Sequence, residues 1–215
     1  MDAKTGKDSI RTREAVSVNI HDPEVKIVAA ISAALEAEYQ SESIEWIGSP
    51  FAWIKTRPSR QVGAIGEKLV SGWLAARGFN VSRSGDSDAD RIIENKRVEI
   101  KFSTLWANSG YKFQQLRDQN YDLVVCLGIS PFDAHCWVLP KGDVIRLWKH
   151  DHLISGQHAG QGGADTAWID VRPDDVPHEW LTSYGGSMSN AIKVISRLTG
   201  FPVKMLGDDL EESEQ

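Results

Sequence analysis

The stretch DADRIIENKRVEIKFS, Asp88 to Ser103, holds acids and a lysine whose types and spacing suit hydrolysis of a phosphodiester. Within RVEIKF the alternation is strict. Val98, Ile100 and Phe102 point to one side of an expected strand, Glu99 and Lys101 to the other. A two-residue turn at Glu94 and Asn95 sets Ile93 against Lys96 and Asp90 against Glu99, with Cβ atoms roughly 4.5 to 5.5 Å apart. Two carboxylates so close repel unless something positive lies between them. A hard divalent cation such as Mg²⁺ answers this, because it takes one or two carboxylates and completes its shell with water and phosphate oxygens. Such an ion neutralises a phosphodiester and acidifies its water, and Lys101 adds a cation for the charge that develops. The same register puts Asp88 opposite Lys101, so Asp88 stays open as an alternative first acid should the turn be longer.

The elements that must carry these residues can be read around them. A helix is expected from about Gln61 to Arg77, with Leu69, Val70, Trp73 and Leu74 on its apolar stripe and Gly78 just past its end. FNVSRS reads as a short strand, and the hairpin follows. YKFQQLRDQN then reads as a polar helix, YDLVVCLGI as a strand buried on both faces, and HCWVLPK as a further strand. This order predicts an α/β fold with a mixed β-sheet flanked by helices. Upstream, DPEVKIVAAISAALEAEYQ predicts an amphipathic helix with Asp22 as its cap and Pro23 in its first turn. Downstream, TAWIDV is an expected strand and SNAIKVISRLTG a last helix stopped by Gly200.

Asp90 followed by Glu99-x-Lys101 on a strand resembles the signature of the PD-(D/E)xK nuclease superfamily, which includes type II restriction endonucleases. The resemblance covers about residues 63–139, with Ala89 where the family name has Pro. It implies a restriction-endonuclease-like core over residues 61–150, and the length predicts a single domain over 1–215 in which that core carries an N-terminal helical extension over 1–60, a C-terminal extension over 151–206 and an acidic, disordered tail over 207–215. It implies that Asp90, Glu99 and the backbone carbonyl of Ile100 hold the metal, and that Lys101 is catalytic. Glu67, in GAIGEKLVSGWLAARGFNV, matches the helical Glu that joins the site in resolvase-like members, and Gln114 or Gln115 matches a supporting polar residue. The implied activity is Mg²⁺-dependent cleavage of double-stranded DNA, by a homodimer if the target is palindromic. Structure-specific nucleases and inactive DNA-binding modules share the same core.

A net charge of −6 argues at first against a polyanionic partner. The average conceals an uneven distribution. The tail from Gly207 carries five acids and no base, whereas Lys55 to Lys101 carries ten bases, Arg60 and Arg83 among them, against six acids. It is the local field that a phosphate backbone meets. Lys112, and His158 and Gln161 in the Gly-rich stretch SGQHAGQGGAD, are further candidates for DNA contact. Trp46, Trp53 and Trp106 suit a core as well as a stacking role. Cys126 and Cys136 lack metal-site spacing and are expected as buried apolar residues, and His150 and His152 as part of a surface turn. MDAKTGKDSIRTREAV has no apolar leader segment, and LVVCLGI is too short to span a bilayer, which predicts a cytoplasmic protein without a membrane anchor.

Overall fold

The computed structural model describes residue 31 and residues 44–107, 109–157, 165–173 and 178–203. The chain divides into two units, Met1–Ile44 and Glu45–Gln215, and the elements below all lie in the second. The expected helix at residues 22–40, save Ile31, and the expected DNA contacts His158 and Gln161 lie outside the described residues. No helix among the described residues is long and apolar enough to cross a membrane.

The short helix α1 (Ala52–Lys55) leads into α2 (Ser59–Ala76). Val70 and Leu74 of α2 are fully buried, and Gly78 ends the helix region with a φ of 88°, a conformation open to glycine. Strands β1 (Val81–Arg83), β2 (Arg91–Ile93) and β3 (Lys96–Thr104) follow, then β4 (Tyr111–Arg117), β5 (Leu123–Ile129) and β6 (Ala134–Pro140). Helix α3 (Lys141–Lys149), β7 (Ser155–Gln157), β8 (Thr166–Val171), α4 (Glu179–Thr182), β9 (Gly185–Ser187) and α5 (Met188–Thr199) complete the order. Ser187 caps α5 by accepting from the Asn190 amide, and Gly200 closes it at a φ of 76°.

Six strands make a mixed sheet in the order β1-β2-β3-β5-β6-β9, in which β3 and β5 run parallel and the other neighbours antiparallel. One face, carrying Val98, Ile100, Val125 and Leu127, packs on α2 and α5 through Val70, Leu74, Ile192 and Ile195. Trp46 and Ile54 join that same cluster, so the chain from Glu45 onward is part of this core. The other face meets a second sheet, β4-β8-β7, and α3. Helices thus flank one face, while a small antiparallel sheet with α3 and the short α4 covers the other.

The expected polar helix at YKFQQLRDQN is instead strand β4. Tyr111 and Phe113 alternate normally, then a bulge interrupts the register between Phe113 and Leu116, with Gln115 at a φ of 58°. The extra residue returns Leu116 to the buried side and hides the two-residue period, leaving a stretch of glutamine, leucine and arginine with high helix propensity. Pairing with β8 and burial of both rings override that local preference. Gly128 permits the contact: a Cβ there would stand 2.6 Å from the Tyr111 ring.

Candidate active site

The turn between β2 and β3 is the expected two-residue one. Glu94 and Asn95 have φ of 46° and 65°, as a type I′ turn requires, and Ile93 pairs with Lys96, Ile92 with Arg97, and Arg91 with Val98. β2 ends the ladder at Arg91, and Asp90 breaks its pattern in an informative way. Its amide donates to the Val98 carbonyl at 3.0 Å, and its carboxylate Oδ2 accepts from the Ile100 amide at 2.7 Å. The side chain therefore replaces a backbone acceptor across the strand gap. Since a strand residue points its N–H and C=O toward the same neighbour, the Ile100 carbonyl is directed toward the edge where Asp90 has taken over.

Glu99 and Lys101 lie on the face turned to the second sheet, in register with Val124 and Cys126 of β5. Their side chains are 12% and 18% exposed and form an ion pair of 2.7 Å between Lys101 Nζ and Glu99 Oε1. Burial pushes the Glu99 carboxyl above its ordinary range. Lys101 opposes that rise, while the negative charges of Asp90 and Glu67 add to it. Glu67, on α2, is raised as well, first by burial and then by Asp90, against the pull of Arg91 and Lys101. The mutual effects show that Glu67, Asp90, Glu99 and Lys101 share one electrostatic neighbourhood.

Arg91 is the member of this neighbourhood that sequence reasoning missed. Its guanidinium reaches Glu67 at 3.2 Å, the Asp90 carbonyl at 2.6 Å and the Ser71 hydroxyl at 3.0 Å, and so ties helix α2 to the backbone of the first acid. The signal was available: Arg91 pairs with the core residue Val98, which puts a charged side chain on the packed face and calls for a partner there.

Asp88 does not take the place opposite Lys101 that an unbroken ladder would give it. The pairing stops at Arg91, and Asp88 sits in a bend where its amide donates to the Asp86 carboxylate at 3.0 Å and its charge acts on Arg97. Gln114, Gln115 and Lys112 line a cleft that also contains Lys101. Arg60 is exposed in the first turn of α2, and Arg83 is exposed at the end of edge strand β1. His150 closes α3 and, like His152, is exposed, whereas Cys126 and Cys136 are buried free thiols.

Among the described residues no group of three His, Cys, Asp or Glu side chains is placed to hold a metal ion. The available donors are the Asp90 and Glu99 carboxylates and the Ile100 carbonyl, a hard, all-oxygen set with an excess of negative charge. Such a set fits Mg²⁺, which keeps much of its water and shuns all-protein cages. Two consequences can be measured in the metal-free protein. For Glu99, the folded-state value lies above the unfolded one, so between the two the native state keeps a proton that the unfolded chain has released. Stability from this group is therefore expected to fall as pH rises through that window. Urea midpoints in EDTA from acid to neutral pH should show this as a difference between the native protein and Glu99→Gln, which lacks the titration. Tyr121 supplies the second: its hydroxyl is the buried side-chain polar atom without a hydrogen-bond partner among the described residues, and burial, then the charge of Glu99, raise its phenol. Tyr121→Phe is expected to leave stability unchanged or raise it by up to about 1 kcal/mol, since only an unsatisfied group is lost. A clear drop in the urea midpoint would mean that the hydroxyl has a partner in solution.

No family model matches the chain, and no curated protein matches it. Among solved structures it is similar to a bacterial homing endonuclease, at 14% identity and a TM-score of 0.44, over 74% of this chain and all of that one. The likeness is loose.

Proposed function

We propose that the protein is a Mg²⁺-dependent endodeoxyribonuclease of the PD-(D/E)xK type, cutting double-stranded DNA as a homodimer in the manner of a type II restriction endonuclease. The observation that supports this reading is that, where the β2–β3 ladder opens, the Asp90 carboxylate is fixed on the Ile100 amide, the backbone unit between Glu99 and Lys101, and those two pair beside a cleft rich in cations. Asp90, Glu99 and the Ile100 carbonyl would hold the ion. When bound, Mg²⁺ supplies neutralisation of the phosphodiester and a more acidic water. The protein's own residues do the rest. The Ile100 amide fixes the orientation of the Asp90 carboxylate, and Arg91 fixes the backbone behind it. Lys101, already 2.7 Å from Glu99, donates its N–H groups to a phosphate oxygen and offsets the charge gained when water attacks phosphorus. Glu67, held by Arg91, acts as a positioning group on the helix side.

The test is incubation of plasmid and phage DNA with Mg²⁺ and, separately, with EDTA, followed by sequencing of the fragment ends. Discrete fragments with Mg²⁺ and intact DNA with EDTA are expected. Cleavage restricted to branched or nicked substrates would move the assignment to a structure-specific nuclease. Intact DNA of every form in Mg²⁺ would overturn it.

A further inference from the structure

Between the first turn of α2, the far end of β3 and strand β4 lies a cleft of about 580 Å³. Lys55, Arg57, Lys101 and Lys112 contribute to its walls, and no aspartate or glutamate lines it. In a chain of net charge −6, that is a marked local excess of positive charge. Several cations elsewhere on this unit are paired with acids, as Arg97 is with Asp86 and Arg146 with Asp151. Among the described residues no ion pair engages Lys55, Arg57 or Lys112.

Lys112 is held in place without a carboxylate. Its ammonium lies 4.6 Å from the Trp106 ring centre and 5.6 Å from that of Trp168, and its amide donates to the Ser103 hydroxyl at 3.0 Å. Ser103 in turn donates to the Thr104 carbonyl at 2.9 Å, so β4 is fastened to the strand that carries Lys101. Trp106 is half exposed at the cleft, and the β4 bulge brings both Gln114 and Gln115 to its wall. On the opposite wall Pro58 precedes α2 and no side chain caps it, so the partial positive charge of the helix start adds to that of the cations. Unpaired cations, an open helix start and an accessible indole together suit a phosphate backbone with a sugar or base resting on the ring.

We propose that this cleft is the track for the DNA strand that continues from the scissile phosphate, with Lys55, Arg57 and Lys112 engaging its next phosphates and Trp106 bearing on the adjoining nucleotide. The placement of the scissile phosphate rests on the nuclease reading, whereas the track itself rests on the cleft. Lys101 joins the two, since it belongs both to the Glu99 ion pair and to the cleft wall.

The experiment is fluorescence anisotropy of a short labelled DNA duplex in EDTA over a series of KCl concentrations, so that binding is read without cleavage. Lys112→Gln, which keeps a stem against Trp106, and the double variant Lys55→Ala/Arg57→Ala are expected to weaken binding by about tenfold or more. The slope of log affinity against log salt should fall by about one for each cation removed. Trp106→Ala should weaken binding with the slope unchanged. Lys193→Ala, on the exposed side of α5, should match the native protein in both. Native affinity and slope in the folded cleft variants would overturn the track, as would an equal loss in Lys193→Ala. Cleavage separates the two ideas: DNA of every form left intact in Mg²⁺, with cleft-dependent binding, sinks the nuclease and keeps the track, and cut DNA with cleft-independent binding does the reverse.

Discussion

Glu99→Ala and Lys101→Ala are each expected to lower the rate of DNA cleavage by about 10²-fold to 10³-fold while the protein stays folded. Glu99 supplies one of two side-chain carboxylates in the proposed metal site, and Lys101 supplies the cation nearest to it; removal of a single preorganised charge at a developing oxyanion commonly costs 10²-fold to about 10³-fold. Neither side chain belongs to the two apolar clusters, so the sheet can form without them. Each single variant leaves a half-buried charge without its partner and is expected to lose about 1 to 2 kcal/mol of stability, a figure reduced for the exposure that remains. The double variant tests the pairing. It should be no slower than either single one, because groups that act together fail together, and it should be more stable than Lys101→Ala, because no stranded carboxylate is left. Plasmid nicking assays and urea unfolding measure the two effects. Cleavage within about tenfold of native in either single variant would remove Glu99 and Lys101 from the chemistry.

Gly66→Ala is expected to have the largest effect on folding. A Cβ at Gly66 would fall on the Cβ and ring of Phe102, so α2 could stay only by moving away from β3. Overpacking against a strand in the sheet centre typically costs 1 to 3 kcal/mol, and this overlap puts the expected loss at or above about 3 kcal/mol. The displacement would also carry Glu67, the next residue, away from Arg91 and slow cleavage along with it. Gly72→Ala in the same helix is the contrast. Nothing lies within 4 Å of a Cβ at Gly72, and the gain in helix propensity should stabilise the protein by about 0.5 to 1 kcal/mol. If both variants unfold at the same urea concentration, α2 does not pack on β3 as closely as described.

The two variants differ only in what faces each glycine, which no reading of α2 alone could reveal. The site divides along the same line. From the sequence, the turn and the hairpin as far as Arg91 were legible: Glu94 and Asn95 tolerate the left-handed backbone of a two-residue turn, and the alternation of RVEIKF sets which side chains share a face. The buried strand β5, with all seven residues buried, and the Gly200 stop of α5 were legible for the same reason, since both follow from neighbours a few residues apart. Strand β4 was not. Its two-residue period is broken by a bulge, and its partner β8 begins about fifty residues later. Asp88 does not face Lys101 because the regular ladder stops at Arg91, beyond which the Asp90 carboxylate accepts from the Ile100 amide in place of a backbone pair.

What the sequence determined by itself was the local part of the site: a strand with Glu99 and Lys101 on one face, turned back at Glu94–Asn95 so that Asp90 meets it. Only the tertiary structure decided that Arg91 clasps Glu67, that Tyr111 lies on Gly128, and that Lys55, Lys101 and Lys112 line a single cleft. Turn geometry and side-chain alternation are properties of consecutive backbone units, and they can be read in order along the chain. Burial, ion pairing and cleft shape depend on which distant segments the core brings together, and in one sequence the same charged residues are compatible with many such arrangements.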